Sequence, residues 1–190
     1  MTTEHFVLQT AASATIAEAG ARSTLYVMAL SSTLIAMGFL SASHELFVLF
    51  GAIVLPVVYL LGMITVMRLV DTAIENMQYL TGIARIRSFY RTLGPEAAVQ
   101  FSPESGRWPE AKAPSLFLGT LLAFMGTTAA LIALVNSIVA GGAAAMLTGV
   151  IAAPEYRWIG LPLAICVALL SALAFFVYQR WRFEAFENAN

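Results

Sequence analysis

The sequence predicts an all-α integral membrane protein: four transmembrane helices, the second extended into a cytoplasmic helix, in a symmetric homo-oligomer. Three observations predict the class. Of 190 residues, 59% are hydrophobic and 11% are charged, against about a quarter charged in an ordinary soluble domain. The mean hydropathy is +0.81. The ten Lys and Arg and eleven Asp and Glu gather in a few polar stretches. Between them lie apolar runs of about 20 residues or more, the length of helix that crosses a hydrocarbon layer.

Residues 1–23 read as a cytoplasmic N-terminal segment. The opening MTTEHFVLQT carries an acid and no basic cluster, unlike a secretory signal, so the segment is expected to stay on the mature chain. Phe6, Val7, Ala11, Ile16 and Ala19 permit a helix here without demanding one. Residues 24–70 read as a transmembrane hairpin: a span over about 24–42, a tight outer turn at Ser43, His44 and Glu45, and a second span over about 46–70. Pro56 offers that second span a kink, which neighbouring helices make tolerable in a membrane.

Residues 71–114 read as a cytoplasmic amphipathic helix and a return loop. Ile74, Met77, Leu80, Ile83, Ile86, Phe89 or Tyr90, and Leu93 recur at helical spacing. No breaker separates them from the second span, which predicts one long helix ending near Gly94-Pro95. Asp71 and Glu75 come first and Arg85, Arg87 and Arg91 last, an order that complements the helix dipole only if a helix starts near Asp71. The stretch SPESGRWPEAKAP reads as an irregular return because it is rich in Pro, Ser and Gly.

Residues 115–179 read as a second transmembrane hairpin, with a turn at Pro154, Glu155 and Tyr156 and a last span from Trp158 to Tyr178; residues 180–190 are a cytoplasmic tail. The uncharged run 115–153 is longer than one span needs. That leaves 141–153 open as the end of a span, a projecting outer helix or a re-entrant piece. No residue pattern supports an internal repeat.

Orientation follows from the retention of Lys and Arg on the cytoplasmic side. With both termini inside, that side holds Arg22, Arg68, Arg85, Arg87, Arg91, Arg107, Lys112, Arg180 and Arg182, and only Arg157 lies outside, nine against one. Tyr26, Tyr156, Trp158, Tyr178 and Trp181 fall at expected boundaries and suit the interfacial aromatic belts.

The interior of every span lacks Asp, Glu, Lys, Arg and His, Arg68 lying near the cytoplasmic end of the second; such groups inside a span are costly and mark proton or substrate paths. No cofactor, metal site or catalytic residue is expected. Cys166 is the single cysteine, which excludes a disulfide framework and a Cys-based metal site. His5 and His44 fall on opposite sides of the membrane and cannot share one site within a subunit. No GxSxG, HExxH or phosphate-loop motif is present, and the reading is that the protein is not an enzyme.

Three constellations remain. Ser31, Ser32, Thr33, Thr127, Thr128, Asn136 and Ser137 put polar groups inside spans. They serve either helix packing, which the spacing of Gly119, Ala123, Gly126 and Ala130 also suits, or a water-lined path. Asn136 is the most informative, because its amide cannot be satisfied by its own helix as a hydroxyl can. Asp71, Glu75 and Asn76 lie just inside the membrane, and Asp71 and Glu75 share a helix face. In an oligomer they form either cation-attracting rings or a solvated surface; Glu4, Glu18 and the outer Glu45 are lesser members of such an electronegative path. Finally, Arg85, Arg87 and Arg91 interleave with Phe89 and Tyr90. This run suits contacts between subunits, anionic lipid, or an anionic ligand whose bases stack on the rings.

With four spans in 190 residues, the segment ENMQYLTGIARIRSFYRTL beyond the second span and no enzymatic motif, the chain resembles in architecture the small multi-span effectors of bacterial anti-phage defence. Among these it is most similar to the channel-type effector of Hailong-like systems. The resemblance implies an oligomeric ion channel in the bacterial inner membrane, gated by a nucleotide or oligonucleotide, that depolarises the cell. Arg85, Arg87, Arg91, Phe89 and Tyr90 would then be the ligand candidates. From the residues themselves, one subunit has too few polar faces to enclose water, so a channel needs copies around an axis, which closed cyclic symmetry provides. The alternative is a non-catalytic membrane scaffold whose cytoplasmic helix docks a soluble protein partner.

Overall fold

The computed structural model describes residues 2–100 and 126–188. Expectations that fall on 101–125 lie outside the described residues: the return loop with Arg107 and Lys112, the start of the third span at Ser115, and the spacing of Gly119 and Ala123. Among the described residues every regular element is helical: α1 (Thr2–Leu40), α2 (His44–Arg91), α3 (Pro95–Gln100), α4 (Thr128–Ile151), a 3₁₀ turn (Pro154–Ile159) and α5 (Gly160–Asn188). Four of the helices are long and apolar enough to cross a membrane.

The ends follow local chemistry. At the end of α1 the Ser41 hydroxyl donates to the Gly38 carbonyl at 2.7 Å. The Ser43 amide bonds Leu40 O, and the Phe47 amide then bonds Ser43 O to open α2. α2 is 48 residues long with Pro56 inside it. It closes where the amides of Thr92 and Leu93 bond back to Phe89 O and Tyr90 O. Pro95 then starts α3, at the helix position where a missing N–H costs nothing. The expected long helix ending near Gly94-Pro95 is present.

Four boundaries differ from expectation, the first being the outer turn, which falls at 41–43 with His44 and Glu45 already inside α2. The segment before residue 24 is helical from Thr2, continuous with the first span. Thr127 is not inside a span: its side chain accepts the Ala130 amide at 3.2 Å and caps α4. The helix therefore starts at Thr128, and 141–151 is the last part of that same 24-residue helix, neither a separate outer helix nor a re-entrant piece. The tail after Tyr178 continues α5 to Asn188, with an exposed Arg180–Glu184 pair one turn apart at 2.6 Å.

The chain divides into two compact units, one of residues 21–70 and 126–190 and the other of 1–20 and 71–125. In the first, Tyr26, Met37, Leu55, Val58, Val66, Ala133, Val139, Ala143 and Phe175 are buried. Close approach is made by glycines. A Cβ on Gly141 would lie 2.7 Å from the Ala164 carbonyl and 3.2 Å from Ala168 Cβ, so α4 and α5 meet nearly backbone to backbone, as small residues allow between membrane helices. Large apolar side chains including Leu25, Phe39, Ile53, Leu161 and Leu169 are exposed on the outside of this unit, a surface that suits lipid or further subunits. In the second unit, Ala12, Thr15, Thr72, Ile74 and Ile83 are buried. A Cβ on Gly82 would lie 3.0 Å from Leu8 Cδ1, so the N-terminal part of α1 is held by small-residue packing against α2.

Candidate functional site

In the unit of 21–70 and 126–190, polar side chains from four helices form one buried chain of contacts. Its centre is Asn136 on α4, 0% exposed. The Tyr26 hydroxyl on α1 donates to Asn136 Oδ1 at 3.1 Å, and Asn136 Nδ2 donates to the Tyr59 carbonyl on α2 at 3.1 Å. The Tyr59 hydroxyl lies 3.3 Å from Ser171 Oγ on α5. Ser171 Oγ is also 3.3 Å from Ser137 Oγ, and Ser137 donates to its own helix at Ala133 O, 2.8 Å away. Every helix of the unit thus contributes a group.

The sequence arranges this locally. Asn136 and Ser137 are neighbours on α4, so one turn of helix offers polar groups to two partners at once. Gly62 lies one turn beyond Tyr59, and a Cβ there would collide with the Asn136 amide and come 2.7 Å from Tyr26 Cε2. The absent side chain is what lets the amide reach the α2 backbone. Thr33 and Thr65, also buried, bond back to Ala29 O and Leu61 O within their own helices.

This placement bears on the residues singled out from sequence. Asn136 does not face outward toward a subunit-lined path: both ends of its amide are used inside one subunit. Tyr26 does not turn its ring outward to lipid as a belt aromatic would, being 1% exposed, whereas Tyr156, Trp158 and Trp181 are exposed. Ser31 and Ser32 lie on the outer face of α1. Tyr59, Gly62 and Ser171 were not singled out. A tyrosine and a serine in the middle of apolar runs are the signal that points to them, because a phenol inside a membrane needs a partner.

In the other unit, Asp71 and Glu75 are half-buried on α2, one turn apart, and both take part in polar or charged contacts. Asn76 joins the two helices: the Thr15 hydroxyl lies 3.3 Å from its Oδ1 and 2.7 Å from Ala12 O. The arginine run does not converge. Arg85 and Phe89 are exposed, while Arg87, Tyr90 and Arg91 are half-buried. On an unbroken helix Arg85 and Arg87 point roughly 200° apart, so one face carries Arg85 with Phe89 and the other Arg87, Tyr90 and Arg91. Phe89 and Tyr90 meet edge to face, their centroids 6.2 Å apart. Glu45 is exposed beside the turn at 41–43. Among the described residues no group of three His, Cys, Asp or Glu could hold a metal ion.

Compared with protein-family models, curated proteins and solved structures, the chain matches none. Fold and site together define an all-helical protein with four helices able to span a membrane, tied by a polar network internal to the subunit.

Proposed function

We propose that this protein is a homo-oligomeric ion channel of the bacterial inner membrane, with both termini cytoplasmic and with gating by a nucleotide or oligonucleotide. The observation that carries the reading is the placement of Asp71 and Glu75 one turn apart on a single unbroken helix of 48 residues. At 1.5 Å per residue, α2 is roughly 72 Å long, more than twice a hydrocarbon core of about 30 Å. Part of it therefore lies beyond the bilayer, and two acids on one face near that boundary form stacked rings when copies surround an axis, drawing cations toward the pore. The buried network supports placing the water path between subunits, since it leaves the inside of each subunit filled. Gating is assigned to the arginine-bearing part of α2, with each face of the helix offering half of an anion site.

The test is single-channel recording from purified protein in planar bilayers, wild type against Asp71→Asn with Glu75→Gln. The channel reading expects the double variant to lose most of its preference for cations over anions. Equal selectivity in both proteins would remove the acids from the pore.

A second reading, a membrane scaffold that docks a soluble partner, is favoured by Phe6 and Val7, exposed at 66% and 57% on the N-terminal part of α1. A scaffold has no current for the substitutions to alter.

A further inference from the structure

Where α2 begins, α4 ends and the 3₁₀ turn passes, the unit of 21–70 and 126–190 contains a cleft of about 260 Å³. Two charged or titratable side chains line it, His44 and Arg157, and both are basic types. Glu45 and Glu155 are close in sequence, but neither lines the cleft. The walls are apolar: Phe47 and Val48 from α2, Ala145 and Met146 from α4. Gly149 keeps the walls apart from a side chain, since a Cβ there would come 3.3 Å from Val48 Cγ1. Tyr156 and Trp158 on the adjoining turn are exposed, at 56% and 72%, as aromatic residues are where a membrane meets water.

We propose that this cleft binds an anionic glycerophospholipid, with Arg157 and His44 holding the phosphate and an acyl chain lying along Phe47, Val48 and Met146. The assignment rests on charge complementarity joined to an apolar wall. A guanidinium presents a fork of N–H donors matched to phosphate oxygens, an imidazole adds a further donor, and the walls give hydrocarbon a dry face that a small soluble anion would not use. It needs the chain to lie in a membrane and is independent of whether the protein conducts ions.

Native mass spectrometry of the full chain, titrated with phosphatidylglycerol or phosphatidylcholine of equal chain length, tests this. Wild type is expected to retain phosphatidylglycerol in preference. Arg157→Gln should weaken that retention about fivefold, the effect of one positive charge at headgroup range, and adding His44→Gln should abolish the preference. Ala145→Phe, which fills the wall, should release both lipids. Arg180→Gln, an exposed arginine elsewhere, should change nothing. Because His44 and Arg157 are exposed, their substitution leaves the core intact even if Ala145→Phe does not fold. Equal retention of the two lipids by wild type, or retention unchanged by Arg157→Gln, overturns the proposal. So does glycerol phosphate competing as well as the whole lipid, which would make the cleft a soluble-anion site.

Discussion

Replacing Asn136 with alanine removes the most buried side-chain amide among the described residues and separates two contributions that the structure predicts. The first is loss of two interhelical hydrogen bonds, from Tyr26 at 3.1 Å and to the Tyr59 carbonyl at 3.1 Å, each about 0.6 kcal/mol on average inside a membrane protein and up to about 1.7. The second is the stranding of the Tyr26 hydroxyl, on a side chain only 1% exposed, at about 1–3 kcal/mol. The Tyr59 carbonyl keeps its place in the helical ladder and adds little. The sum is a destabilisation of roughly 2–4 kcal/mol. Tyr26→Phe alone removes one bond and leaves Asn136 Oδ1 without that donor, about 1 kcal/mol. In the double variant no hydroxyl is stranded and the shared bond is lost only once, so the combined loss should fall short of the sum by about 1.5–3.5 kcal/mol, as coupled neighbours do. Equilibrium unfolding in mixed micelles with increasing sodium dodecyl sulfate, followed by tryptophan fluorescence, gives all four free energies. Losses that add to within about 0.3–0.5 kcal/mol would refute the reasoning, because the two residues would then not share a bond.

Gly62→Ala should be among the most disruptive single-methyl changes, costing about 1–3 kcal/mol or more by overpacking, since its Cβ would strike the Asn136 amide and Tyr26. Gly38→Ala, whose Cβ meets nothing within 4 Å, should be neutral or should stabilise α1 by about 0.5–1 kcal/mol; the same unfolding assay compares them. For the arginine run, a site made of two half-faces should lose binding alike from Arg85→Gln and from Arg87→Gln with Arg91→Gln, whereas a ligand held by one subunit would respond to only one set. Fluorescence anisotropy of a labelled oligonucleotide reads this, and equal losses from both sets mean that two faces meet one ligand between subunits.

Much of this architecture was legible because membrane thickness and the helical repeat leave strong marks on a sequence. The apolar runs located the four long helices, and the unbroken pattern after Val70 gave the continuity of α2 to Arg91. The helix from Thr2 was harder to read. Its packing uses Ala12, Thr15 and Leu8 against a glycine, small contacts that leave no broad hydrophobic stripe. Thr127 as a cap was hidden because threonine is equally at home inside a membrane helix. The arginine run read as one cluster because proximity in sequence does not show that two steps along a helix reverse the direction of a side chain.

For Asn136, sequence established that its amide needed partners; only the fold showed them to be Tyr26 and the backbone beside Gly62. The same packing turned the Tyr26 ring inward, where a belt aromatic would face lipid. Outward-facing and buried tyrosines have the same composition signature, and the difference lies in whether a partner on another helix meets the hydroxyl.

The most direct test of the channel reading is ion flux from liposomes carrying purified wild-type protein, with the particle mass determined in the same preparation. The account predicts a defined oligomer that releases cations, and release that falls when Asp71 and Glu75 are replaced by their amides. A monodisperse monomer that releases no ions, with or without added oligonucleotide, would contradict it.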